Sequence, residues 1–353
     1  MSESQSTDND GVIRIDVPIE ITIRAGAVTV VSGAGHATSA GARALRPSRG
    51  DGGQPEAFIL DEDYDSRLGY DDAHLGVQVP LPTLSEAQLK QASRDQTTDR
   101  EDSHVLRYHH MSIVMNAKKR LAFFAACNTT RNADLIGSKS RTELNDGARD
   151  KWILDPRIPP AHQVQTKELY GPSVFDRGHL VRREDMYWGN DETLATYANF
   201  DSFHYTNCTP QHPEFNQSQL GEGLWGRLEN HIAKSAATDG ENLSYFAGPI
   251  FRRGRTMRNV FIPNQFFKVV LGMRRNGSLG AWAFRLSQKE LVADAPEPVF
   301  AAGEFEEYLV SIASLERSTQ LTFPEVVRKA DVMSGQDDRM FDDLDEIPLE
   351  RGS

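Results

Sequence analysis

Residues 175–185 read FDRGHLVRRED, and within them Asp176, Arg177, His179, Arg182 and Arg183 crowd together. An imidazole titrates near neutrality, so His179 is suited to take a proton from water as a general base. A guanidinium stays charged and grips a phosphate through two nitrogens at once, which suits Arg177 to phosphate, with Arg182 and Arg183 as further anion contacts. Gly178 lets the backbone approach a ligand closely. Downstream, TNCTPQHPEFNQ (206–217) holds Asn207 and Asn216 on either side of a proline-rich turn. An asparagine carbonyl is a hard neutral oxygen, acceptable to Mg²⁺, which keeps several of its waters and takes few protein ligands. Each asparagine taken alone fits a turn cap equally well. Zinc fits less well. His204 and His212 are too far apart for an i,i+4 pair, His109 and His110 would point to opposite faces of a strand, and no cysteine pair has ligand spacing.

The elements that must hold these groups are legible in outline. SIVMN and RLAFFAACN (112–128) predict a hairpin turning at Asn116–Lys119, and GVQVPLPTL (76–84) an extended segment. Residues 85–102 are polar and read as helix or loop. Residues 221–237 predict a helix with Leu224, Leu228, Ile232 and Ala236 on one stripe. NLSYFAGPIF, NVFIPNQFFKVVLGM and LGAWAFRL predict sheet strands, and EFEEYLVSIASLERST a helix. NAKKRL and FRRGRTMR add positive charge at Lys118, Lys119, Arg120, Arg252, Arg253, Arg255 and Arg258, and each run alone reads as solvated surface.

Four regions follow from composition: a strand-rich segment (1–32), a Gly/Ala/Ser-rich linker (33–56), the main domain (57–330) and an acidic, disordered tail (331–353). The first alternates in hydrophobicity over 12–31, but Pro18 predicts an edge strand or two short strands. The tail holds eight acids against two arginines, about half of the chain's net charge of −12. That balance excludes a broad polyanion-binding surface, so any phosphate site must be local. Two cysteines are too few for a disulfide framework and predict reduced thiols. The N-terminus lacks an export signal's basic and apolar regions, and no apolar run approaches the ~18 residues of a membrane helix, so a cytoplasmic protein with no membrane partner is expected.

Taken in order, FDRGHL, TNCTPQHPEFNQ and LWGRLE resemble the signature of the DNA/RNA non-specific endonuclease family: Asp-Arg-Gly-His, an Asn-x-x-Pro-Gln stretch ending in Asn-Gln, and a Trp-x-x-Leu-Glu helix. GYDDAHLGVQVPLP, LDPRIP, FAGPIF and IPNQFFKVVL extend the likeness over roughly residues 60–325. The resemblance implies an α+β domain with a mixed or antiparallel central sheet, helices and a ββα-metal active-site motif. It implies hydrolysis of DNA and RNA with Mg²⁺, or Mn²⁺ as the alternative, and a homodimer. His179 matches the family's general base and Asn216 its direct metal ligand. Glu229 matches the helix glutamate that holds a metal-bound water, and Asn207 a supporting asparagine. Asp176 and Arg177 complete the motif. Arg120 is the candidate for an upstream arginine that stabilises the transition state, with Arg131 competing. The segment SQLGEG lengthens the spacing from Asn216 to Glu229, which leaves Glu222 as the alternative. A silent nucleic-acid-binding module, or an effector nuclease held by a regulatory protein through residues 1–55, are the rival expectations.

Overall fold

The computed structural model describes residues 60–130, 151–171, 173–217, 223–239, 242–289 and 307–336, with Leu144, Leu291, residues 338–340 and the backbone of four short strands before residue 33. The chain divides into two units, Met1–Gln54 and Pro55–Ser353. In the first, Ser6–Thr7 pairs with Ile13–Arg14, and Ile19–Arg24 pairs antiparallel with Ala27–Ser32. The alternating run is therefore several short strands. The linker expected at 33–56 and tail residues 341–353 lie outside the described residues.

Among the described residues, the second unit is built on a sheet of eight antiparallel strands. In chain order they are β1 (Val105–Arg107), β2 (Met111–Asn116), β3 (Leu121–Thr130), then, after a separate ribbon of β4 (Asp176–His179) and β5 (Cys208–Gln211), β6 (Asn242–Met257), β7 (Val260–Met273), β8 (Leu279–Ser287), β9 (Glu307–Val310) and β10 (Arg339–Met340). Their spatial order is β10-β9-β8-β7-β6-β3-β2-β1. All ten residues of β3 are buried. That explains its near-continuous apolar run: alternate side chains enter two cores, one on each face of the sheet. Ile113, Ala125, Tyr245, Val270 and Phe284 face one core. Val114, Phe124, Phe246, Val269 and Ala283 face the other. The fold is α+β.

Helices α1 (Glu192–Asp201), α2 (Pro213–Asn216) and α3 (Leu224–Asp239) follow β4, and α4 (Ile312–Thr319) follows β9. Leu224, Trp225, Leu228 and Ile232 of α3 pack into the first core together with Phe215 and Leu180. This apolar stripe fastens the helix and the ribbon's surroundings to the sheet. The second core is capped by Ile312 and Leu315 of α4.

Two expectations are corrected. EFEEYLVSIASLERST is not one helix. Glu307–Val310 pairs with β8, and the helix begins only after Ser311, whose side chain caps the Ser314 amide. Leu309 and Val310 are drawn into the sheet by cross-strand bonds that no local pattern encodes. The domain also continues past 330. Asp331 accepts from the Ile312 and Met333 amides, Met333 is buried, and Arg339–Met340 pairs with β9.

Beneath the ribbon lies a dense buried polar network. Arg67 binds Asp201 with both Nε and Nη2 at 2.9 Å. Arg157 grips Asp155 at 2.7 Å, Tyr108 donates to the same carboxylate, and Tyr108 also meets Thr206 at 2.7 Å. The Tyr64 hydroxyl meets His204 Nε2 at 2.8 Å. Burial alone would raise the Asp155 carboxyl, but Arg157 outweighs it and holds it below the ordinary range. These bonds fix residues 201–207, the segment that enters β5.

Asp155→Asn strands a buried guanidinium and is expected to cost about 3–5 kcal/mol in urea unfolding. Because the folded carboxyl titrates low, its contribution is full above the ordinary carboxylate range and fades as pH falls through the lowered folded value. Unfolding titrations of wild type and variant should therefore converge in acid, and a constant gap at every pH would contradict the assignment.

Candidate active site

β4 and β5 pair antiparallel with Asp176 opposite Gln211, Arg177 opposite Pro210, Gly178 opposite Thr209 and His179 opposite Cys208. With α3 they make a ββα unit. Asn207, wholly buried, ties its ends together. Its Oδ1 accepts from Val181 N at 3.0 Å, and its Nδ2 donates to Val181 O at 2.7 Å and Ser202 O at 2.9 Å. Its own carbonyl accepts from Leu180 N at 3.1 Å. The chain leaving His179 is thus pinned on two sides.

Asp176 is the hub. Its Oδ2 accepts from Asn216 Nδ2 at 3.0 Å and from Gln217 Nε2 at 2.5 Å. An amide whose nitrogen is held by a carboxylate must point its oxygen the other way, so Asn216 Oδ1 is oriented outward as a carbonyl acceptor. Among the described residues nothing donates a hydrogen bond to it. That is the disposition a hard cation needs from a neutral ligand. Among the described residues no three His, Cys, Asp or Glu side chains form a metal-binding group. A metal here would rest on Asn216, water and a bound anion.

His179 is half-buried, three residues along the same strand. Its ring lies 4.6 Å from Trp152 and 5.1 Å, edge to face, from Phe203. Its carbonyl accepts from Trp225 Nε1 of α3 at 3.2 Å. Arg177 donates to Thr166 Oγ1 at 3.2 Å, and its guanidinium lies 5.8 Å from the Trp152 ring. An imidazole and a guanidinium thus lie against one indole.

The remaining expected residues are distributed less simply. Arg120 sits at the β2–β3 turn with φ of 63°, and its guanidinium binds Glu168 at 2.6 Å and Gln163 O at 2.7 Å. Arg182 binds Asp185 at 3.0 Å and Asn230 at 3.2 Å. Burial opposes its charge, but Asp185 and Glu229 hold its guanidinium strongly protonated. Arg183, expected as an anion contact, is instead interior. It is 7% exposed, donates to Asn199 and the Leu144 carbonyl, and lies 5.0 Å from the Phe203 ring. Its length lets it serve as a buried brace between segments. Glu229 lies one helical turn from Trp225, buried, and accepts from Lys268 Nζ at 2.8 Å. Burial raises its carboxyl, with Lys268 and Arg182 offsetting only part of the effect. Among the described residues it makes no hydrogen bond to Asn216. Gly223 N donates to Gln217 O at 3.2 Å, which holds the start of α3 beside the end of α2. Glu222 and Arg131 lie outside the described residues.

Several positioning groups carry no sequence signal. Trp152 is remote from the motif in sequence. Gln288, buried, accepts from His212 N and donates to Pro210 O and Pro263 O, stapling β5 and α2 to β7. Gly178 has a reason different from ligand approach. A Cβ there would fall 2.0 Å from Gln211 Oε1, so the glycine makes room for the buried side chain of the opposite strand. Both cysteines are buried thiols outside any disulfide, and no described helix is long and apolar enough to cross a membrane.

Residues 90–330 match the sequence profile of the DNA/RNA non-specific endonucleases. The chain is 38% identical over 288 residues to a Sinorhizobium fredii protein described as uncharacterized protein y4fB, an alignment covering 77% of this chain and 41% of that one. It thus spans less than half the length of that relative. It is 24% identical over 223 residues to a nuclease of Nostoc, covering 63% of this chain and 73% of that one. Over 218 residues it is 27% identical to human mitochondrial endonuclease G, covering 57% and 67% respectively.

Gly178→Ala is expected to cost about 1–3 kcal/mol through overpacking against Gln211. The double variant Gly178→Ala/Gln211→Ala should recover most of that loss in thermal melts. No recovery would mean that the glycine serves something other than this crossing.

Proposed function

Because this chain belongs to the DNA/RNA non-specific endonuclease family, we propose that it hydrolyses phosphodiester bonds of DNA and RNA without regard to the sugar. The observation that carries this reading is the Asp176 carboxylate, which takes both the Asn216 and Gln217 amides and so turns the Asn216 carbonyl outward beside the His179 strand. Asn216 Oδ1 is the group that would hold Mg²⁺, or Mn²⁺ as the alternative. The bound ion supplies Lewis acidity toward phosphate oxygens.

The protein's own residues divide the remaining work. His179 accepts the proton of the attacking water. Trp152 and Phe203 confine its ring, and the Trp225 bond fixes its backbone, so the base approaches from one direction. Arg177 offers fixed positive charge to the phosphoryl oxygens as negative charge builds on them. Its bond to the neutral Thr166 hydroxyl is one a phosphate can displace at modest cost. Glu229, paired with Lys268 of β7, helps to keep α3 against the sheet, and orienting a water beside the ion is its proposed further role. Contacts to the phosphate backbone give affinity without reading sequence.

Plasmid DNA and a structured RNA should both be degraded with Mg²⁺ and spared with EDTA. His179→Ala should slow cleavage by about 10²–10⁴-fold, the usual worth of a general base. Undiminished cleavage by that variant, or cleavage in EDTA, would contradict the proposal.

A further inference from the structure

Between residues 242 and 289 the chain carries nine Lys or Arg and no Asp or Glu, although its net charge is −12. Four of the nine, Arg252, Arg253, Arg255 and Arg258, crowd the tip of the β6–β7 hairpin. Met257 pairs with Val260, so Arg258 and Asn259 form a two-residue turn, with φ of 49° and 63°. Such a turn favours Asn or Gly at both positions, and an arginine there runs against local preference. Arg252 and Arg253 are exposed, and among the described residues no carboxylate pairs with Arg252, Arg253 or Arg255. Nε and Nη2 of Arg255 are buried and have no hydrogen-bond acceptor among those residues. Guanidinium N–H groups left without an acceptor are costly, and an anion met by this half-buried side chain as it turns outward lessens that cost.

The hairpin is joined to the site by continuous contacts. Gly254 has no Cβ to obstruct the Phe261 ring, which would lie 2.4 Å from one. Lys119 Nζ sits over that ring at 4.0 Å. The next residue, Arg120, is bound to Glu168 in the loop whose Thr166 contacts Arg177. Val260 and Ile262 share an apolar cluster with Phe175 and Cys208, which adjoin the catalytic ribbon. Lys119 and Arg120 therefore bridge the hairpin that carries Arg253 and Arg255 and the loop that contacts Arg177.

We propose that these cations form a phosphate track: the hairpin arginines and Lys119 hold the backbone of the nucleic acid on one side of the bond being cut. The proposal rests on the nuclease reading above and assigns a binding surface to a part of the chain outside the family signature. It explains how a strongly acidic protein engages a polyanion. The cations are concentrated on one hairpin and one adjoining turn. Contacts of this kind to the anionic phosphodiester backbone carry no base information, in keeping with cleavage irrespective of sequence.

The test is binding of a short fluorescein-labelled DNA duplex, and of an RNA duplex of the same sequence, followed by anisotropy in EDTA as salt is raised. The double variant Arg253→Gln/Arg255→Gln keeps much of each stem and removes two charges. The slope of log affinity against log salt should flatten by about 0.9 per lost contact, hence by roughly 2. Arg253→Gln alone, at an exposed position, should lose about half of that and guards against a folding defect in the double variant. The matched pair Arg275→Gln/Arg317→Gln, elsewhere on the surface, should leave the slope unchanged. A full wild-type slope in the hairpin variants, or an equal loss in the matched pair, overturns the track. If wild type degrades nucleic acid while the hairpin variants keep that slope, the track alone fails. If wild type neither cleaves nor binds either duplex, the nuclease reading fails and the track with it.

Discussion

One carboxylate oxygen organises the site. Asp176 Oδ2 accepts two side-chain amides, from Asn216 at 3.0 Å and Gln217 at 2.5 Å. The arrangement works only because β4 and β5 are in a register that brings α2 back over Asp176, and that register depends on Gly178 leaving room for Gln211. The carboxylate does not itself need to touch a metal. It polarises and aims the Asn216 amide, the proposed ligand, and orienting partners of this kind commonly matter nearly as much as the ligands they hold. A neutral ligand in turn leaves the ion's charge largely available to a phosphate.

The second constraint is rigidity behind the ribbon. Asn207 locks the exit of β4 to the entry of β5, and Asn207 is itself held by the segment that Arg67, Asp201, His204 and Thr206 fix. Buried charges seldom add net stability against apolar substitutes, but a paired network admits few alternative arrangements. Here it sits directly under the groups whose geometry matters most. Glu229 and Lys268 play a comparable part on the other side, inside the contact between α3 and the sheet.

Much of this was legible in the sequence, for definable reasons. The hairpin of β2 and β3, the long β6–β7 pair and α3 follow from hydrophobic pattern, and the site follows from clustered residue types and their resemblance to a known signature. Groups that depend on tertiary approach were not legible. Trp152 reaches His179 across a loop, Gln288 bonds two prolyl carbonyls remote from it in sequence, and Arg183 turns inward although its neighbour Arg182 has an almost identical local context. FRRGRTMR reads as solvated surface charge when taken alone, and cross-strand pairing with β7 carries it as strand through Met257. Residues 304–319 show a helix-like spacing at Phe305, Leu309, Ile312 and Leu315, while β8 recruits Leu309 and Val310 as strand.

The central claim is that Asp176 aims Asn216 at a divalent cation. Titration of Mn²⁺ into the full chain, read by the loss of the free-ion paramagnetic resonance signal, tests it without reference to turnover. Asp176→Asn exchanges the shared acceptor for an amide, and the account predicts Mn²⁺ affinity weaker by about 10–100-fold, the usual effect of losing an orienting partner, with Asn216→Ala weaker still. Wild-type affinity in Asp176→Asn would contradict the account at its root.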